Sequence, residues 1–410
     1  MTRWFSALVL VLVAVVPVRG QDAADYDKKA AAIAERAVAW LRTRQDAKTG
    51  GWAVPKDGPV YPAITALVLN GMLMQKGIDE KDPAVAGGAA FMLGYRQADG
   101  GIYDGILPSY NTSIVLSCLT RVNTPEAKAA IKPAQDFLRG LQFGEAAMSS
   151  GPMAGETAAV GKDHPFYGGI GYGRGGRPDL SNTAFFLQAM HDSGVPRDDP
   201  AFQRALVFLS RVQMMERGVD GKTINAMPYA KGAKQGGFIY STSESKEKVG
   251  SGQTETKLTY EETLDDGTKV SQLRCYGSMT YAGFKSLIYA NIPPNDPRIV
   301  AADEWIRRNY TLSENPGIGN DGMYYYFLTF ARALEAQRSG SPSPATVRTI
   351  VAIKADGTTE ERNWGHDLID RLGALQNEDG SFKSLGDRWL EKDPVLITAY
   401  ALLALQNARR

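Results

Sequence analysis

The chain has 410 residues, 43% of them apolar and 22% charged, with 46 basic side chains against 45 acidic for a net charge of +1. Such a composition builds a large core and excludes disorder, and balanced charge without a basic block or aromatic-basic stripe argues against nucleic acid and anionic membrane surfaces as partners. With only Cys118 and Cys275 there is no disulfide framework, and Cys118, inside the apolar run TSIVLSCL, reads as a buried thiol.

In chain order, Arg3 precedes the apolar run WFSALVLVLVAVVPV, and Val18 and Gly20 stand three and one positions before Gln21. Residues 1–20 therefore read as a secretory signal peptide, because the apolar run is short of the roughly 20 residues a spanning helix needs. The expected mature chain, residues 21–410, carries 44 basic and 45 acidic residues, is exported to the periplasm or beyond the cell, and has no transmembrane span.

From there the periodicity predicts twelve helices of two alternating kinds. The first kind covers about 24–44, 82–96, 126–141, 199–214, 297–309 and 364–376, with charged residues along one side as in DPAFQRALVFLSRVQ. One face of each must meet water, which makes these outer helices. The second kind covers 61–74, 109–119, 179–190, 277–290, 322–334 and 393–406 and is apolar nearly all round, as in YPAITALVLNGMLM. A helix without a polar face is buried on every side, so six inner helices stand within six outer ones. The expected fold is an all-α single domain, an (α/α)6 toroid.

Between the two kinds recurs a corner in which a Gln leads into a glycine turn and an aromatic: LRTRQDAKTGGW at 41–52, LGYRQADGGIY at 93–103 and LGALQNEDGSF at 372–382. Weaker copies are LRGLQFGE at 138–145 and LSRVQMMERG at 209–218. Two β-containing surface insertions interrupt the pattern. Residues 216–274 contain GGFIYSTSE, TKLTYEE and a DDG turn; residues 336–363 contain a hairpin expected on Asp356 and Gly357. Either insertion offers a surface for a protein partner.

These corners resemble the glutamine-tryptophan repeats of squalene and hopene cyclases, and ITAYALLAL at 397–405 is similar to the helix that closes those enzymes. Protein prenyltransferase β subunits share the toroid. The resemblance implies a central cavity for an apolar or isoprenoid-like ligand, with functional residues where the inner helices start. The cyclases carry an Asp-x-Asp-Asp-Thr-Ala motif whose middle acid protonates a carbon–carbon bond or epoxide. The matching stretch here is DLSNTA: Asp179 fits the first acid, while Ser181 and Asn182 take the middle and last positions and cannot protonate an alkene. The prenyltransferases place zinc on an Asp-x-Cys pair and a His; Cys275 and Tyr276 match, but Leu273 and Ile397 stand where the Asp and His belong. One soft ligand does not hold zinc, so no metal and no cofactor is expected.

The residues themselves point to the same end of the ring. Parallel inner helices gather their N-termini, unpaired N–H groups and dipoles at one mouth, where ligand-handling side chains belong. The starts offer Tyr110 and Asn111; Asp179, Ser181 and Asn182; Cys275, Tyr276 and Tyr281; Tyr324 and Tyr325. Tyr172 comes from the glycine-rich loop DHPFYGGIGYGRGGRPD at 163–179, which lacks a following Gly-Lys-Ser/Thr and a preceding strand and so is no phosphate loop. Its Arg174 and Arg177 either form ion pairs or face an anionic group. Asp179 is the candidate acid among these residues; as a plain helix N-cap it would hold a lowered pKa. Three readings remain: a ligand-binding toroid without the familiar acids, an enzyme with unusual initiating groups such as Asp179 or Asp104, and a scaffold with a plugged cavity. Cavity volume and carboxylate placement separate them. A polysaccharide-cleaving toroid is a further alternative, though no close carboxylate pair stands at an inner-helix start.

Overall fold

The computed structural model describes residues 19–146, 159–173, 176–242, 259–263, 266–340 and 348–409. The apolar leader at 1–18, Arg174, and residues 243–258 of the first insertion lie outside the described residues.

Twelve helices of at least eleven residues are present among the described residues. The outer ones are α1 (Arg19–Thr43), α3 (Pro83–Leu93), α5 (Pro125–Leu141), α7 (Pro200–Val212), α9 (Pro297–Arg308) and α11 (Trp364–Leu375). The inner ones are α2 (Pro62–Leu73), α4 (Pro108–Leu119), α6 (Leu180–Asp192), α8 (Gly277–Tyr289), α10 (Met323–Ser339) and α12 (Pro394–Ala408). The inner helices pack in sequence, α2 on α4, α4 on α6, and so on to α12, and α12 packs back on α2, so the ring closes. Each outer helix lies against an inner helix beside it, and α1 bridges the ends of the ring by packing on both α11 and α12. This is the α/α toroid.

Local chemistry explains where the elements begin. Five helices start with a capping residue followed by proline: Asp82, Thr124, Asp199, Asp296 and Asp393 each accept a backbone N–H from the first turn of α3, α5, α7, α9 and α12. Proline at N1 loses nothing, since its missing N–H has no intrahelical partner there.

The corner glutamine ties one repeat to the next. In four copies its Nε2 bridges two backbone carbonyls, one from its own glycine turn and one from the next outer helix. Gln45 reaches Gly50 and Ala84, Gln142 reaches Gly168 and Ala201, Gln213 reaches Gly236 and Arg298, and Gln376 reaches Gly380 and Ile33, at 2.8–3.1 Å. Gln97 differs, bonding to Tyr95 and Tyr103 within its own corner. The glycine is required on two counts: at Gly168 φ is +85°, and an added Cβ would sit 1.9 Å from the Arg204 carbonyl oxygen. A threonine in the first turn of the inner helix then anchors the residue that follows the turn, as Thr65 Oγ1 accepts from Trp52 N and Thr183 Oγ1 from Ile170 N.

This geometry corrects part of the sequence reading. The two weaker corners are complete, with residues inserted between their Gln and their Gly: Gly168 closes the third corner and Gly236 the fourth. The stretch GGFIY at 236–240 is therefore a corner, with Phe238 and Ile239 buried in the core, and not part of a surface decoration. The strands of the first insertion are β1 (Thr259–Thr263) and β2 (Lys269–Leu273), antiparallel with Thr263 opposite Lys269. The second insertion forms the expected hairpin, β3 (Thr349–Ile353) and β4 (Thr359–Asn363), turning at Asp356–Gly357, but α10 continues to Ser339 before it begins. No described helix is long and apolar enough to cross a membrane.

Candidate functional site

The inner-helix starts converge on a cavity of about 190 Å³. Tyr110, Phe185, Tyr325 and Tyr400, from α4, α6, α10 and α12, form a closed aromatic wall: successive ring centroids stand 5.5, 5.8 and 6.1 Å apart, and the Tyr400 and Tyr110 hydroxyls lie 3.3 Å apart. Tyr61, Tyr240, Tyr276 and Met279 complete the wall. Ser181 Oγ meets the Tyr325 hydroxyl at 2.9 Å. Burial raises the phenols, that of Tyr110 to about 12 and those of Tyr240, Tyr325 and Tyr400 further, so all present neutral O–H groups. The mouth is marked by three apolar residues left in solvent, Tyr172 at 41%, Trp389 at 44% and Leu390 at 51% exposed.

Backbone strain collects here. Leu107, Trp389 and Leu390 line the cavity with φ of +45°, +52° and +65°. Left-handed bulky residues cost about 1–3 kcal/mol each and persist only where the surroundings enforce them. Arg388 helps to do so, its guanidinium 4.6 Å over the Trp389 ring and 2.9 Å from Asp321.

The strained turn ends on Glu391, only 1% exposed, whose carboxyl is the cavity's one ionisable acid among the described lining residues. Its Oε1 accepts the Tyr325 N–H at 2.9 Å, and it serves the first turn of α10, which has no cap of its own. Two other inner helices without a local cap also receive one from afar: Asn111 Oδ1 accepts from Ala63 N of α2, and Asn315 Oδ1 from Ser278 N of α8. Of these distant caps only Glu391 is among the cavity's lining residues and is ionisable. Its Oε2 is buried with no hydrogen-bond partner among the described residues. Burial pushes its pKa up to about 7 against the backbone N–H groups that favour the anion, so the proton is exchanged near neutrality.

Asp179 behaves differently from the expectation of a lowered pKa. It caps α6, with Oδ1 accepting Asn182 N at 2.8 Å and Oδ2 accepting Asn182 Nδ2 at 2.7 Å, and the Tyr240 hydroxyl donates to it as well. Full burial outweighs those bonds and raises its pKa to about 6. It does not line the cavity.

Of the other sequence candidates, Tyr110, Tyr172, Ser181, Tyr276 and Tyr325 are brought together on the cavity wall. The rest are placed elsewhere by helical geometry. Asn111 is fully buried, with Nδ2 donating to the Ile106 and Leu107 carbonyls. Asn182 turns back onto Asp179. Tyr281 packs among Tyr326 and Phe330, and Tyr324, one position from the lining Tyr325, points outward and donates to the Lys383 carbonyl at 2.6 Å. Cys275 is buried and faces an outer groove beside Trp305. Its zinc-motif neighbours are no closer to ligand chemistry: Leu273 lies in β2 and Ile397 in the core. Asp104 accepts the Val60 N–H. Sequence reasoning missed Tyr400, Tyr240 and Glu391. Tyr400 stood in the quoted closing helix; Glu391 lies in a loop, RWLEKDP, without periodicity to flag it.

No protein-family model matches the chain. A squalene–hopene cyclase from Bradyrhizobium diazoefficiens is 28% identical over 188 residues, 44% of this chain, and the match spans 28% of that enzyme's length. Among solved structures, an inactive variant of the GH76A alpha-1,6-mannanase of Salegentibacter sp. HEL1_6, in complex with alpha-1,6-mannotetrose, superimposes with a TM-score of 0.52 at 10% identity over 93% of this chain and 98% of its own. A variant of the type II terpene cyclase MstE from Scytonema, in complex with geranylgeranyl dihydroxybenzoate, gives 0.50 at 12% identity over 94% and 99%. The repeats and the fold thus support the superfamily of α/α toroids that includes the squalene–hopene and type II terpene cyclases.

Proposed function

We propose that the protein is an exported toroid that binds a small, largely apolar, isoprenoid-like molecule carrying an oxygen function, and that Glu391 passes a proton to or from that oxygen. The observation that carries this reading is the unpartnered Glu391 Oε2, buried at the wall of an aromatic cavity with a pKa of about 7. A carboxyl so poised is matched to general acid–base work at neutral pH on a hydroxyl, carbonyl or epoxide. Protonating a bare alkene demands a far stronger acid, so the relative's name, squalene–hopene cyclase, supports the ligand class more than the reaction. The neutral phenols and their π faces suit a ligand that develops positive charge.

Size narrows the ligand. A cavity of about 150 Å³ holds benzene, so about 190 Å³ takes one ring or a short branched chain. The tail of a longer molecule would leave past Trp389 and Leu390. A sugar-cleaving reading needs two carboxyls facing the bond, and Asp179 has both oxygens engaged.

Solvent extraction of the purified chain and native mass spectrometry test ligand class: a terpenoid of this size is expected. Against candidate terpenoid alcohols or epoxides, Glu391→Gln is expected to retain binding and lose turnover by at least about 100-fold, the usual share of a general acid. Equal turnover by the variant would overturn the role of Glu391. Export is tested by N-terminal sequencing, with Gln21 expected first.

A further inference from the structure

At the opposite end of the toroid axis, where the inner helices finish, a second cavity of about 210 Å³ is lined from all six of them or from the residues just after. Its lining differs from that of the central cavity. Three guanidiniums face it: Arg332 of α10, Arg121 just after α4 and Arg197 after α6. Arg332 and Arg197 make no side-chain hydrogen bond or ion pair within the described residues, and Arg121 makes one hydrogen bond, from Nε to Asn70 Oδ1 at 2.8 Å.

The carboxylates nearby do not neutralise this set. Glu335 is taken by Arg338, bidentate at 2.7–2.8 Å, and by the Ser339 hydroxyl. Asp192 accepts from Gln188 at 2.8 Å; although burial opposes its charge, the His191 contact and Arg332 keep its pKa below the ordinary value. Lys285 is buried against Gln188 Oε1 at 2.6 Å and burial draws it toward the neutral form. Three guanidiniums against one available carboxylate leave an excess of two positive charges. That excess matches a phosphoryl group, which carries about −1.5 to −2 at neutral pH and accepts planar guanidinium forks in pairs.

We infer that this cavity is an oxyanion site for a phosphate-class ligand, with Arg332 as its inner donor, Arg121 beside it and Arg197 at the rim. The alternative role for these cations is to offset the partial negative charge of the helix C-termini. That effect fades within the last turn, and Arg332 stands about two turns back from the end of α10. The inference rests on none of the residues of the central cavity and stands apart from the reading of Glu391.

Isothermal titration of the full chain with inorganic phosphate and diphosphate, at ionic strength fixed with chloride, tests it. Saturable one-to-one binding is expected, weakened at least about tenfold in Arg332→Gln, as loss of a charged donor pair requires. Arg332→Lys keeps the charge but not the fork and is expected to fall between. Arg197→Gln, at an exposed position where folding is not at stake, is expected to weaken binding about threefold or more, so a misfolded Arg332 variant leaves the test intact. Vesicles of phosphatidylcholine with and without phosphatidic acid separate the sources: recruitment by phosphatidic acid that Arg197→Gln reduces identifies a lipid headgroup, and free phosphate binding without recruitment identifies a soluble ligand. Absence of saturable binding, or equal affinity in the wild type and Arg197→Gln, overturns the inference and leaves the arginines as neutralisers of helix ends.

Discussion

Glu391 and Asp179 show how burial and hydrogen bonding compete at single residues. Both cap an inner helix, and both are raised, to about 7 and about 6, because desolvation exceeds the help of the bonds they accept. A carboxyl with a higher pKa folded than unfolded stabilises the fold below the unfolded value and loses that contribution as pH rises through the folded one. For Glu391 the window runs from the ordinary glutamate value of 4.5 up to about 7, and the loss is about 3 kcal/mol. Glu391→Gln keeps an oxygen for the Tyr325 N–H without the charge, so the variant is expected to match wild type near pH 5 and exceed it in urea midpoint near pH 8; parallel pH profiles would refute this. For Asp179 the bonds set the ranking. Asp179→Ala strands Asn182 N, Asn182 Nδ2 and the Tyr240 hydroxyl and is expected to cost about 3 kcal/mol. Asp179→Asn keeps the cap, and because Asn182 Oδ1 has no partner among the described residues, Asn182 can flip to accept the new amide. About 1 kcal/mol is expected, and equal costs would show that the cap is idle. Neither raised pKa was legible in the sequence, because helix-start logic sees the N–H donors and not the depth of burial.

At the scale of elements, helix boundaries were readable to within a few residues because the apolar pattern and the Asp-Pro starts state them locally. What the residue string hid was the completion of the third and fourth corners, whose Gln and Gly are separated by inserted chain and meet only in three dimensions. The bridging geometry makes the corner's contribution testable. Gln213 Nε2 satisfies one buried and one partly buried carbonyl, Gly236 O at 2.8 Å and Arg298 O at 2.9 Å, so Gln213→Ala is expected to cost about 2–3 kcal/mol by chemical unfolding. Two glycines then separate strain from crowding. Gly58, φ +92°, has nothing within 4 Å of an added Cβ, whereas Gly168, φ +85°, would drive it into Arg204 O. Gly58→Ala is expected to cost about 1 kcal/mol and Gly168→Ala well over 3, the first from left-handed backbone alone and the second from forced separation of α7 from its corner. Similar costs would mean that the corner does not hold the outer helix.

For the whole molecule the decisive fact is closure. The toroid was legible from six alternations of amphipathic and all-apolar helices, but the contents of its axis were not: which tyrosine of Tyr324 and Tyr325 faces inward depends on helix rotation that an all-apolar segment leaves unspecified. Closure itself depends on α12, which packs on α10, α2, α1 and α11. It buries Val395, Leu396, Ile397, Tyr400, Leu402, Leu403 and Leu405, and at about 1.5–3 kcal/mol each this burial is comparable to or larger than the 5–15 kcal/mol by which whole proteins are stable. A chain ending at Lys392 is therefore expected to lose its cooperative melt and its near-ultraviolet signal, not to persist as a five-sixths ring. Truncation alone does not distinguish loss of contacts from loss of chain connectivity, and a permutant does. The start of α11 lies against the end of α12, with an added Cβ on Gly365 coming 3.2 Å from the Ala408 carbonyl oxygen, and Tyr26 of α1 stacks on His366 at 3.7 Å, so the two ends of the described chain are neighbours. Joining them with a short Gly-Ser linker and opening the chain at the exposed Asp356–Gly357 turn keeps every ring contact while moving the termini. The permutant is expected to melt cooperatively within a few degrees of wild type and to retain whatever ligand the wild type carries, whereas a permutant that fails to fold would show that the order of synthesis, and not the closed set of contacts, defines the ring.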